Sequence, residues 1–201
     1  MQFCETHHRQ SEFTLVVGLG NPGPTYRFTR HNIGFRVVEH LAEIKGIRWI
    51  QSPFEAQCAK GCIEGHTVVL AKPMAFMNRS GPPVRSLITH LGITASEMIV
   101  VHDDIDLAFG ILKIKAKGGH GGHNGLRSIT DAIGDDAYTR VRIGIGRPEP
   151  GQEVTGHVLG PFRESETERL DEILDRAADA VIAVIRQGTM AGMNQFNRNA
   201  K

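Results

Sequence analysis

His31 stands between Arg30 and Asn32 just ahead of an amphipathic segment, and Asp103 follows the apolar run at 98–102. A histidine backed by a carboxylate is an economical general base. The carboxylate fixes the imidazole tautomer and stabilises the imidazolium formed when a proton is taken from water. In open α/β folds such residues collect at the C-terminal ends of strands. Three asparagines stand in apparent turns: Asn21 after the first strand, Asn78 in Phe76-Met77-Asn78-Arg79-Ser80-Gly81, and Asn124 near the end of the glycine-rich run 118–125. Each offers an acceptor and two donors without charge, suited to an amide, a ribose or a developing oxyanion. Each is equally a residue type that caps helices and shapes turns.

Other chemistries fit less well. Gly18-Leu19-Gly20-Asn21-Pro22-Gly23 after an apolar strand spells the G-x-G-x-x-G dinucleotide pattern. That motif needs a helix opening at its third glycine and an acidic residue about 20 positions on, at the end of a second strand. Here Pro24 and the poorly periodic stretch after it delay the helix to about residue 33, and Glu39 falls inside that helix. The glycine-rich run lacks the Gly-Lys-Ser/Thr ending of a P-loop. His102, Asp103, His120 and His123 are ligand types for zinc, but no H-e-x-x-H or paired Cys-x-x-Cys spacing accompanies them. Neither a metal nor an organic cofactor is expected.

These side chains need a scaffold. Strands are expected at 13–19, 98–102, 111–116 and 139–146, a hairpin at 56–71 turning near Glu64-Gly65, and helices at 33–45, 82–91, 124–133 and 164–187. The pattern is a single α/β domain with a mixed, largely parallel twisted sheet flanked by helices, over 13–201, with 1–12 as a disordered extension. Cys58 and Cys62 fall on one strand, too far apart to bridge at about 3.3 Å of rise per residue, and read as packing residues. Three cysteines in 201 residues suit a reducing compartment. With no apolar run of membrane-spanning length and no apolar leader, the expectation is a cytoplasmic protein. Separately from that pattern, a monomer is expected.

A net charge of +1 conceals an asymmetry, because 108–147 is basic and 163–179 is acidic. Lys113 and Lys115 should share one face of their strand. With Lys117, Arg140 and Arg142 they flank the glycine-rich loop, where cations can straddle a sugar-phosphate backbone. Two Tyr and one Trp are too few to make base stacking the obvious mode, so phosphate contact dominates this reading.

GLGNPGPTYRFTRHNIGF, KPMAFMNRSG, VVHDDIDLAFG, KGGHGGHNGLRSI, RVRIGIGRP and VTGHVLGPF, in this order, together closely resemble the bacterial-type peptidyl-tRNA hydrolase family. The resemblance implies hydrolysis of the ester joining a peptide to the 3′-terminal ribose of tRNA, so that peptidyl-tRNA is the partner. It implies that His31 is the general base and Asp103 its orienting partner. Asn21 and Asn78 would hold peptide and ester, with Asn78 the better candidate for the oxyanion. Asn124, Met77, His123 and Tyr26 would bind the terminal nucleotide, and Lys113, Lys115 and Arg142 the tRNA phosphates. Lys117 stands where many relatives carry glycine, adding charge beside the cleft. Two rival readings are a non-catalytic RNA-binding relative and a small-molecule amidase or esterase with the same His-Asp pair; the second has no use for the basic flank.

Overall fold

The computed structural model describes residues 13–198, so the expectation for residues 1–12 lies outside the described residues. The chain runs β1 (Thr14–Gly18), α1 (Ile33–Ile44), β2 (Ile50–Ser52), β3 (Ala56–Ile63), β4 (His66–Pro73), α2 (Gly81–Leu91), β5 (Met98–Asp104) and β6 (Leu112–Lys115). It continues through α3 (Asn124–Ile133), β7 (Thr139–Gly144), α4 (Val154–Val158), α5 (Glu164–Thr167), α6 (Leu170–Gln187) and α7 (Thr189–Phe196). The seven strands form one sheet in the order β2-β3-β4-β1-β5-β7-β6. Its four central strands, β4, β1, β5 and β7, are parallel; β3 and β2 add antiparallel on the β4 side, and β6 adds antiparallel to β7 on the other.

The apolar runs of β1 and β5 are long because both sheet faces are covered. Val16, Ile99 and Val101 pack with α1 and α6, while Leu15, Val17 and Val100 pack with α2 and α3. This three-layer arrangement brings the C-terminal ends of β1 and β5 together where the winding reverses, the usual place for a site in such sheets. Helix α1 approaches unusually closely. A Cβ on Gly18 would collide with the Gly34 carbonyl, and one on Gly34 with the Val101 carbonyl. The close contact is locked by Leu19 N–H donating to Val101 O (3.0 Å) and Phe35 N–H to Leu19 O (3.1 Å).

The structure departs from the sequence reading in places. The expected helix 164–187 is interrupted at residues 168–169, where Glu166 is held by the buried Arg30 (2.7 Å) and also accepts from the Arg163 N–H (2.8 Å). Asp103 lies within β5 and not after it. Cys58 and Cys62 are free and share β3 as expected; Cys58 is buried, but Cys62 is exposed and no core residue. The edge strand β6 meets Asn197, whose side-chain amide accepts from Ile114 N–H (2.8 Å) and donates to Ile114 O (3.0 Å).

Candidate active site

The turn at Arg30–Asn32 carries His31 over the ends of β1 and β5. There His31 Nδ1 meets Asp103 Oδ1 at 2.8 Å, and His123 Nε2 meets the same oxygen at 3.0 Å. The proton positions follow from the surrounding donors. His123 Nδ1 accepts from Gly125 N–H (3.1 Å) and Leu126 N–H (3.4 Å) as the N-cap of α3, so its Nε2 must carry the proton that Asp103 receives. Asp103 is acceptor only when ionised, so His31 donates from Nδ1. Its Nε2 is left with a lone pair and no hydrogen-bond partner among the described residues.

Asp103 is 2% exposed, and burial by itself pushes its carboxyl up. His31 and His123, through the positive charge each carries once protonated and through their N–H donation, outweigh burial and hold it well below the usual carboxylate range. His31, Asp103 and His123 offer three ligand atoms within 4.8 Å of one another. A metal at that point would displace both shared protons and force a proton onto His123 Nδ1, where two backbone N–H groups already point. The hydrogen-bond pattern suits a proton-handling dyad.

The dyad opens into a cleft of about 800 Å³. Asn21 sits at its floor, buried, with Oδ1 accepting from Met77 N–H (2.7 Å), so its Nδ2 remains free to donate. Met77 is buried beside it on the turn Met77–Arg79, while Asn78 is exposed on the same turn. Tyr26 lies edge-on to Phe76 (centroids 6.2 Å apart) and forms one wall. Val154, Val158 and Leu159 also line the cleft, and Asn124 stands at the start of α3 next to His123.

The basic residues divide. Lys115 is exposed and lines the cleft, whereas Lys113, half-buried, lies outside its lining. The strand register pairs Lys113 with Arg142 and Lys115 with Arg140. Arg142 lines the cleft with its Nε bonded to Asp104 Oδ2 at 2.6 Å. Arg140 corrects the sequence reading: it is 1% exposed, packs on Tyr138 and donates to the carbonyls of Asp136, Tyr138 and Gly118. Its guanidinium anchors the glycine-rich loop and is withdrawn from solvent.

Among the cleft residues, Arg79 and the α4 wall escaped the sequence reading, which weighed His102 only as a zinc-ligand type. Arg79 is an exposed cation on the lining without an ion pair among the described residues; its place beside Asn78 was the available signal. His102 is buried on β5, donates from Nδ1 to the Asp103 carbonyl (2.6 Å), and packs edge-on against His123 (4.9 Å). The α4 wall gave no periodic signal, being five residues long with Gly156 in its middle.

A hydrogen-bonded His–Asp pair in an open cleft, at the switch point of a doubly wound sheet, gives an α/β protein with the groups that acid–base chemistry requires. The family model for peptidyl-tRNA hydrolase matches residues 15–201. The peptidyl-tRNA hydrolase of Geobacter sp. (strain M21) is 45% identical over 183 residues, covering 91% of this chain and 97% of that one. The Nocardia farcinica protein of the same name is 46% identical over 184 residues, covering 91% and 95%. The crystal structure of peptidyl-tRNA hydrolase from Acinetobacter baumannii superposes with a TM-score of 0.86 at 42% identity, covering 93% of this chain and 95% of that one. The chain belongs to the peptidyl-tRNA hydrolase family.

Proposed function

We propose that the chain hydrolyses the ester between a peptide and the 3′-terminal ribose of tRNA, releasing both for reuse. His31 Nε2 takes a proton from water, the resulting hydroxide attacks the ester carbonyl carbon, and Asp103 stabilises the imidazolium. The tetrahedral oxyanion receives N–H donation from Asn78 and Asn21. Its collapse expels the ribose 3′-oxygen, which takes the proton back from His31 Nε2, leaving a peptide acid and a free 3′-hydroxyl. General base catalysis contributes about 10² to 10⁴-fold and positioning adds to it. The reaction proceeds without a metal or organic cofactor.

Tyr26, Met77, His123 and Asn124 take the terminal nucleotide and adjacent backbone, while Lys113, Lys115 and Arg142 contact tRNA phosphate. No helix among the described residues is long and apolar enough to cross a membrane, and we assign the chain to the cytoplasm as a monomer. The observation that carries the reading is the shared Asp103 oxygen, which leaves the cleft-side nitrogen of His31 unprotonated. The deciding experiment is single-turnover cleavage of an N-acetylated aminoacyl-tRNA by wild type and His31→Ala. The variant should lose cleavage while retaining tRNA binding, and near-normal turnover would remove His31 from the mechanism.

A further inference from the structure

Asn32 directly follows His31 and occupies the N-cap position of α1, where an asparagine side chain ordinarily accepts from the first helical N–H groups. Here it makes no such bond. The N–H of Phe35 in the first turn of α1 is taken instead by the Leu19 carbonyl. The Asn32 amide turns away from its own helix. Its Oδ1 accepts from Asn21 N–H and its Nδ2 donates to Asn21 O, both at 2.8 Å, with Asn32 2% and Asn21 6% exposed. One side chain thus engages both backbone polar groups of Asn21, as a neighbouring strand would.

With Met77 N–H on its Oδ1, Asn21 is fixed at three points, and the two hydrogens of its Nδ2 are what it has left to donate. We infer that Asn32 is a positioning residue, clamping Asn21 so that its amide donor and the His31 base hold a fixed separation across the reacting ester. This rests on the catalytic reading above. A carboxamide suits the task because it pairs one acceptor with one donor on a planar group. An aspartate would keep the acceptor but set an oxygen against the Asn21 carbonyl.

The test is a double-mutant cycle on N-acetylated aminoacyl-tRNA, with kcat and KM measured for wild type, Asn32→Ala, Asn21→Ala and the double variant. Loss of the clamp should lower kcat about 10²-fold, the cost of a misplacement near 1 Å. KM should stay within about two-fold, since ground-state tRNA contacts are untouched. In the Asn21→Ala background, removing Asn32 should cost less than about three-fold, because nothing remains to be positioned. The pH profile of kcat should keep its midpoint, as the base is unaltered. A 10²-fold loss that persists without the Asn21 side chain, a displaced pH midpoint, or wild-type kcat in Asn32→Ala would each overturn the assignment. Should Asn32→Ala fail to fold, Asn32→Asp takes its place in the same cycle under the same criteria. Absence of cleavage by the wild-type chain would overturn the catalytic reading and this inference with it. Normal wild-type cleavage with additive losses overturns the role of Asn32 alone.

Discussion

His102 makes stability dependent on pH in a window that can be isolated. Burial lowers the affinity of its imidazole for a proton, the neighbouring His123 adds to the effect, and opposition from Asp103 is too weak to offset them, so its pKa is lowered to about 3. An unfolded chain protonates the same residue near pH 6.5. Between these values the unfolded state binds a proton that the folded state does not, so stability falls as pH falls. The slope is about 1.4 kcal/mol per pH unit and the full excursion about 5 kcal/mol. His102→Asn keeps a donor facing the Asp103 carbonyl while removing the titration. Urea unfolding of wild type and variant from pH 7.5 to 4.5 measures the effect. The stability of the variant relative to wild type should rise by about 2 kcal/mol between pH 6.5 and 4.5. Asp103 has the same sign but a lower window. Its depressed carboxyl contributes stability above the ordinary aspartate value, lost as pH falls below it toward the folded pKa, so stopping at pH 4.5 keeps it out. A stability difference that stays constant across the range would refute the reasoning.

Gly34→Ala should cost about 1–3 kcal/mol, because the added methyl meets the Val101 carbonyl and Leu19 backbone, which cannot yield without lifting α1. Activity should fall with it as His31 moves, and an unchanged urea midpoint would contradict the close packing. Glu166→Ala strips the carboxylate from Arg30, which is 5% exposed and spans the Pro161 and His157 carbonyls; a loss of about 3 kcal/mol is expected. A loss below about 1 kcal/mol would show that the carbonyls alone suffice for Arg30. Arg142→Ala should reduce the slope of log affinity for tRNA against log salt by about 1. An unaltered slope would place Arg142 away from phosphate.

Much of the scaffold is legible because it is local. The apolar runs of β1 and β5 declare buried strands, and α3 begins and ends at the expected residues, Asn124 and Ile133. Residue type nominates His31 and Asp103 as a pair, but for residues 72 positions apart that nomination needs the turn asparagines and the family resemblance behind it; the structure sets the two in hydrogen-bond contact. The second imidazole on the same oxygen was not legible, because His123 reaches Asp103 only once β5 and α3 have packed. Distance in sequence also hid the fate of the arginines. Alternation puts Arg140 and Arg142 on one face, but only tertiary packing decides that the Gly118 carbonyl and the Tyr138 ring cover the first. Hydrophobic periodicity runs straight through residues 168–169, and the contact that accompanies the break joins Glu166 to Arg30, 136 residues away. Asn32 drew no reading of its own from the sequence, because its amide is committed to the Asn21 backbone, 11 residues away, and not to the helix it precedes.

The Asn197 amide also bears on self-association. An outer strand offers unpaired backbone groups that a second chain can extend by strand addition. At one margin of this sheet β2 is three residues long, too short to template much pairing. At the other, the outward N–H and C=O of Ile114 are both occupied by a single carboxamide. Asn197 therefore acts as a one-residue mimic of the next strand, closing the β6 margin to a neighbouring chain at the cost of one side chain's freedom.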